Sequence, residues 1–207
     1  FYALDSQRRV WHRPPGKGER QSSQLDTSEA TLSIYCAPNG RVWVTASFGT
    51  LYWSDTSLGR WQEFSLYEDL QFTAVRFVDA MNGFAVGEFG TVIATTDGGD
   101  DWQPRTFIPN EFYPMASDFI DADTGWVGGL DGVIWHTTDG AQSWQRQGSV
   151  TSAPIYNIHA DEHGVRDGRR QVRVEGGRGD EPGRQEAEVR EEPGPRPEPA
   201  REHAQHH

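Results

Sequence analysis

Two aspartates stand in one recurring frame. Asp97 lies in "TTDGGDDW" (Thr95–Trp102) and Asp139 in "TTDGAQSW" (Thr137–Trp144), 42 residues later. A carboxylate repeated in this way is either part of a site or the fastener of its own turn, and the residue types around it favour the fastener. Aspartate accepts hydrogen bonds from backbone N–H groups of its turn. Gly99 tolerates a positive φ. Trp102 and Trp144 bring large apolar bodies that can seal a hairpin against its sheet. Other candidate chemistry is thinner. His159 and His163 are four residues apart, a metal-binding spacing on a helix. Here they fall in a predicted strand and turn, where the rings would not converge, so neither a metal nor another cofactor is expected. Arg178-Gly179-Asp180 is an adhesion-like tripeptide in a tail full of glycine, arginine and acidic residues, where chance accounts for it.

These turns need strands to hold them, and the sequence repeats those too. "FVDAMNGFAVGEFGTVIATTDGGDDW" (Phe77–Trp102) aligns without a gap on "FIDADTGWVGGLDGVIWHTTDGAQSW" (Phe119–Trp144). An earlier unit, Asn39–Trp61, matches more loosely but keeps Gly49, Thr50 and Trp61, and a later one starts as "IHADEHG" (Ile158–Gly164). A period of about 40–50 residues is one propeller blade. Each unit reads as four short strands. In the best one these are "AVRFVDA", "FAVGEF", "TVIATT" and "WQPRTF", with Asn82-Gly83 as a hairpin-type turn after the first. The expected fold is all-β: a partial β-propeller of about three four-stranded blades, carrying a disordered C-terminal tail. A closed ring needs at least four blades, so a truncated fragment without independent function is an alternative reading.

Composition sets the boundaries. Residues 1–24 are polar and turn-rich and are expected to be irregular, 25–164 carry the repeats, and 165–207 turn abruptly to Gly, Arg, Glu and Pro. That last stretch is expected to be disordered or frame-shifted. The first residue is Phe1, so the chain is expected to be processed or truncated, with any export signal outside it. The lone Cys36 decides nothing about redox compartment. Between Leu25 and His163 there are 19 acidic residues against 5 arginines and no lysine. A surface of that sign repels phosphate backbones, which argues against a nucleic-acid partner. No apolar run reaches the roughly 18 residues of a membrane span.

The Thr-x-Asp-x-Gly-x-x-Trp frame resembles the Asp-box of BNR-repeat β-propellers. Thr95, Asp97, Gly99 and Trp102 match it, as do Thr137, Asp139 and Trp144, with Ala141 at the glycine position. Asp-boxes are shared with sialidases, whose chemistry needs an arginine trio, a Tyr–Glu nucleophile pair and an acid Asp. The repeats offer only Arg41, Arg60, Arg76, Arg105 and Arg146, three of them beside a box Trp on predicted outer strands. The longer frame, Phe-x-Asp through Gly-aromatic-x-x-Gly to Thr-Thr-Asp-Gly, is similar to the photosystem II stability/assembly factor family of β-propellers, of the kind also found in non-photosynthetic bacteria.

That resemblance implies a non-catalytic, exported scaffold or assembly factor, periplasmic in a bacterium, with a protein partner that in photosynthetic members is a reaction-centre subunit precursor, part of a membrane-protein complex. The rival reading is a BNR-repeat glycoside hydrolase. Two sets of residues are candidates for partner binding. Phe112 and Tyr113, in the aromatic connector "FIPNEFYPM", are either anchors for a partner or packing over a blade edge. Arg76, Asp118 and Asn157 occupy one repeat position and are either a polar ring on the central channel or local ion pairs.

Overall fold

The computed structural model describes residues 1–161 apart from 14, 15, 17, 56, 110, 111 and 150, together with the backbone of 164–167 and 170–171. Among these residues the chain folds into five antiparallel sheets. Three are complete four-stranded blades with strands in sequence order. The first blade holds β4 (Thr31–Cys36), β5 (Val42–Ala46), β6 (Thr50–Ser54) and β7 (Gln62–Ser65). The second holds β8 (Phe72–Phe77), β9 (Gly83–Gly87), β10 (Val92–Thr95) and β11 (Gln103–Pro104). The third holds β12 (Pro114–Phe119), β13 (Thr124–Gly129), β14 (Ile134–Thr138) and β15 (Gln145–Gln147). They are flanked by a three-stranded N-terminal sheet, β1 (Tyr2–Leu4), β2 (Arg9–His12) and β3 (Gln21–Gln24), and a three-stranded C-terminal sheet, β16 (Ile158–Asp161), β17 (Gly164–Asp167) and β18 (Arg170–Gln171).

First strands meet first strands: β4 packs on β8, β8 on β12 and β12 on β16, while β1, which takes the place of a second strand, packs on β4 as β5 packs on β8. The blades are thus arranged in sequence about their inner strands, as in a propeller. The middle strands β5 and β9 are buried along their whole length, which explains why their sequences are continuous apolar runs and not alternating ones. The core lies between blades. Trp43 and Leu51 of the first blade meet Phe72, Val75, Phe77, Ile93 and Trp102 of the second in one cluster. Phe84, Val86 and Ile108 of the second meet Phe119, Val127 and Trp135 of the third in the next. Each such side chain contributes about 1.5–3 kcal/mol on burial, so adjacent blades hold one another.

Two expectations need correction. Residues 1–24 are not irregular, because β1–β3 form there and bury Val10 and, just beyond, Leu25 against Val42, Val44 and Tyr52 of the first blade. The turn after β8 is not an Asn82-Gly83 two-residue hairpin. Gly83 already pairs with Phe77, and the turn is closed by Asp79, whose Oδ1 accepts the N–H groups of Met81 and Asn82, both at 2.7 Å. A carboxylate satisfying consecutive N–H groups is as good a turn signal as Asn-Gly. His163, the Arg178-Gly179-Asp180 tripeptide and nearly all of the 165–207 segment lie outside the described residues.

Candidate functional site

Both Asp-boxes close in the same way. Thr95 Oγ1 donates to Asp97 Oδ1 at 2.7 Å and accepts the N–H of Gly99 at 2.9 Å. Asp97 Oδ1 also accepts the N–H groups of Asp100 and Asp101, each at 3.0 Å. In the next box Thr137 accepts the N–H of Ala141 at 2.9 Å, and Asp139 Oδ1 accepts those of Gln142 at 3.0 Å and Ser143 at 2.8 Å. Hydrogen bonding holds both carboxyls below their ordinary range: the Asp101 N–H and Thr95 hydroxyl act on Asp97, and the Ser143 hydroxyl and N–H act on Asp139. A group held ionised by its own turn is unsuited to donate a proton as a general acid.

The box tryptophans do more than seal their own hairpins, because they reach the preceding blade. Trp61 Nε1 donates to Ser23 Oγ at 3.0 Å and Trp144 Nε1 to the Thr106 carbonyl at 3.0 Å. Trp102 buries itself edge-on against Trp43, with ring centroids 5.5 Å apart. The box is therefore a fastener between blades as well as within one.

Two arginines complete the fastening, and neither reads as a clamp in the sequence. Arg41 lies over the Trp53 ring at 4.0 Å, donates to the Gly98 carbonyl at 2.7 Å and pairs with Asp100. Arg105 donates from Nε to the Gly140 carbonyl at 3.2 Å. Gly98 and Gly140 are the same box position, so arginines from different strands serve one acceptor. Beside Arg105 a cleft of about 730 Å³ opens between the second and third blades, lined by Phe84, Ala94, Thr96, Arg105, Asp123 and Gln142 among others.

The proposed polar ring is not assembled as one. Arg76 lies over Tyr35, at 5.3 Å from its centroid, and donates to the Val75 carbonyl. Asp118 Oδ2 accepts the Ala160 N–H at 2.9 Å and lies 3.1 Å from His159 Nδ1. Asn157 is exposed. Tyr35, the equivalent residue of the first blade, donates to the Phe77 carbonyl at 3.0 Å. This repeat position thus ties one inner strand to the next. Phe112 is buried in the cluster between the second and third blades, over the Cβ-free Gly129, while Tyr113 beside it stays partly exposed. No group of three or more His, Cys, Asp or Glu suited to a metal occurs among the described residues, and no described helix is long and apolar enough to cross a membrane. What sequence reasoning missed is a set of exposed aromatics. The signal was the Phe-Gly-Thr tripeptide at 48–50 and again at 89–91, where the third unit has Asp-Gly-Val.

Comparison with known proteins agrees with this picture. Residues 53–154 match the family described as photosynthesis system II assembly factor YCF48. YCF48 bound to a D1 peptide superposes with a TM-score of 0.58 at 23% identity, over 68% of this chain and 47% of that one. YCF48 from Cyanidioschyzon merolae gives 0.57 at 17%, over 68% and 50%. A catalytically inactive virginiamycin B lyase from Staphylococcus aureus gives 0.55 at 12%, over 72% and 55%. The chain thus spans about half the length of these three structures. No curated protein matches it in sequence. With the repeated frame, the three blades and the paired Asp-boxes all in place, residues 53–154 are similar to the photosystem II assembly factor family, and the fold is that of its β-propellers.

Proposed function

We propose that this chain is a non-catalytic propeller scaffold that binds an exposed segment of a protein partner, in the manner of an assembly factor, and that it acts outside the cytoplasm. The observation that carries the reading is the match of residues 53–154 to YCF48, joined to a neighbour of the same fold that holds a peptide. The chemistry of the boxes supports the non-catalytic part, since Asp97 and Asp139 spend their oxygens on their own turns. A membrane-protein complex is the proposed source of the partner segment.

The test is covalent capture. The purified protein is cross-linked in an extract of its own cells, the captured chain is identified, and the pair is reconstituted from purified components. Reconstitution at micromolar or tighter affinity, with no turnover of a panel of fluorogenic glycosides, is the expected result. Glycoside turnover abolished by substitution of a cleft residue such as Arg105 would overturn the reading. Fractionation of intact cells tests the location, with periplasmic recovery expected.

A further inference from the structure

The two sides of the propeller differ. One side carries the Asp-boxes. The other is built from the connectors that lead into each first strand and from the turns between second and third strands, and backbone hydrogen bonds join these into one surface. Gly49 N–H donates to the Leu70 carbonyl at 2.8 Å, Glu88 N–H to that of Gln71 at 3.0 Å, Ile108 N–H to that of Gly90 at 2.8 Å and Ile155 N–H to that of Gly129 at 3.0 Å.

This second side is aromatic. Phe48, Tyr67, Phe89, Phe107 and Tyr156 are 53, 83, 56, 61 and 73% exposed, whereas among the described residues the blade turns of the box side show only Met81 and Ile120 as exposed large apolar side chains. Three of the five are held in the left-handed region: Phe48 at φ 57°, Tyr67 at 55° and Phe89 at 59°. Bulky residues avoid that region. The third blade shows the alternative, placing Asp131 at φ 58° in the position of Phe48 and Phe89. Aspartate tolerates this conformation, so the fold itself does not require phenylalanine there. Strained, outward-facing aromatics that the core does not use point to a ligand.

The charge of this side says which kind. The connectors 25–30, 66–71, 106–113 and 148–157 and the turns 47–49, 88–90 and 130–132 hold seven acidic residues and no lysine or arginine, and the N-terminal turn 5–8 on the same side adds Asp5 and Arg8, one charge of each sign. Glu68, Asp69 and Asp131 are exposed among the aromatics. We infer that this side docks a basic peptide segment of the partner, whose arginine or lysine heads stack on Phe48, Tyr67 and Phe89 and meet the surrounding carboxylates. Cation–π attraction and opposite charge act on the same side chains there. The inference rests on the protein-binding reading and adds the side used and the chemistry of the segment.

The experiment uses the whole chain and two short synthetic peptides, one alternating arginine with leucine and one alternating glutamate with leucine. Binding is followed by fluorescence anisotropy and mapped by amide chemical shifts. The arginine peptide should bind, weaken with added salt, and shift resonances in 47–49, 66–71 and 88–90, while the glutamate peptide should not bind. The double variant Phe48→Asn/Phe89→Asn should keep its melting temperature, since asparagine suits the left-handed region, and lose about tenfold in affinity. Glu68→Gln/Asp69→Asn should also weaken binding. Shifts confined to the Asp-box side, or undiminished binding by the folded Phe48→Asn/Phe89→Asn variant, would overturn the inference and leave the protein-binding reading standing. Self-association relieved by Phe48→Asn/Phe89→Asn would overturn it in favour of a second copy as the occupant.

Discussion

The interface between the first and second blades and the one between the second and third solve the same problem with different residues. In the first interface Trp43 is fully buried and packs on Phe77, Trp53 and Trp102. Gly99 lies against the Trp43 ring so closely that a Cβ there would collide with it. One repeat on, the Trp43 position is Phe84, stacked on Phe119 at 4.0 Å, and the Gly99 position is Ala141, at φ 67°. Both belong to one buried cluster. The smaller ring admits the methyl group, and the pair conserves volume as core substitutions must. Farther out, Trp53 is replaced by Ala94 and the clamp moves from Arg41 to Arg105, and here the cleft opens. A repeated fold thus keeps the box and its acceptor carbonyl while the contents of each interface vary in compensating pairs.

Removing the largest side chain should separate the two interfaces most. Trp43→Ala is expected to cost about 4 kcal/mol and Phe84→Ala about 3 kcal/mol in urea denaturation, and equal small losses would mean that the blades do not share cores. A smaller effect comes from the glycine position. Gly99→Ala should cost about 2 kcal/mol, from overpacking on Trp43 together with strain at a positive φ, whereas Ala141→Gly should stay within about 1 kcal/mol. The clamps come next. Arg41→Met loses the Trp53 stack, the Gly98 bond and the Asp100 pair and should cost about 1 kcal/mol, while Arg105→Met should cost about half of that.

The smallest difference concerns pH. Asp97 and Asp139 have folded pKa values lowered by hydrogen bonds from their turns. Their stabilisation is therefore fully present above the unfolded carboxylate value of about 3.9 and is lost as pH falls through the lower folded values. The melting temperature should fall in acid below about pH 4, and it should fall less in an Asp97→Ala/Asp139→Ala variant that starts from a lower value. An identical acid profile in that variant would assign the acid sensitivity to other carboxylates.

Much of this could be read in the sequence, because blades repeat their local chemistry. The 42-residue return of the box and its Thr, Asp and Gly roles are local, and they hold atom by atom. What lies between blades could not be read in the same way. That Trp144 donates to the Thr106 carbonyl and Arg105 to that of Gly140 depends on which strands become neighbours. Phe112, read as a possible anchor, is buried because Gly129 leaves room for its ring. The N-terminal sheet escaped notice because its strands are mostly polar and offer the core little beyond Val10 and Leu25. Strands such as "QSSQ" carry no alternation, and backbone pairing alone leaves no mark on residue type.

The most direct measurement is a double-mutant cycle on Trp43 and Gly99, with stability read by urea denaturation. If compensating volume is what varies between interfaces, Gly99→Ala will cost about 2 kcal/mol in the native background and well under 1 kcal/mol in the Trp43→Phe background, a coupling of more than 1 kcal/mol. Additive losses would contradict the account, leaving backbone strain at residue 99 as the whole cost and the match between Phe84 and Ala141 as coincidence.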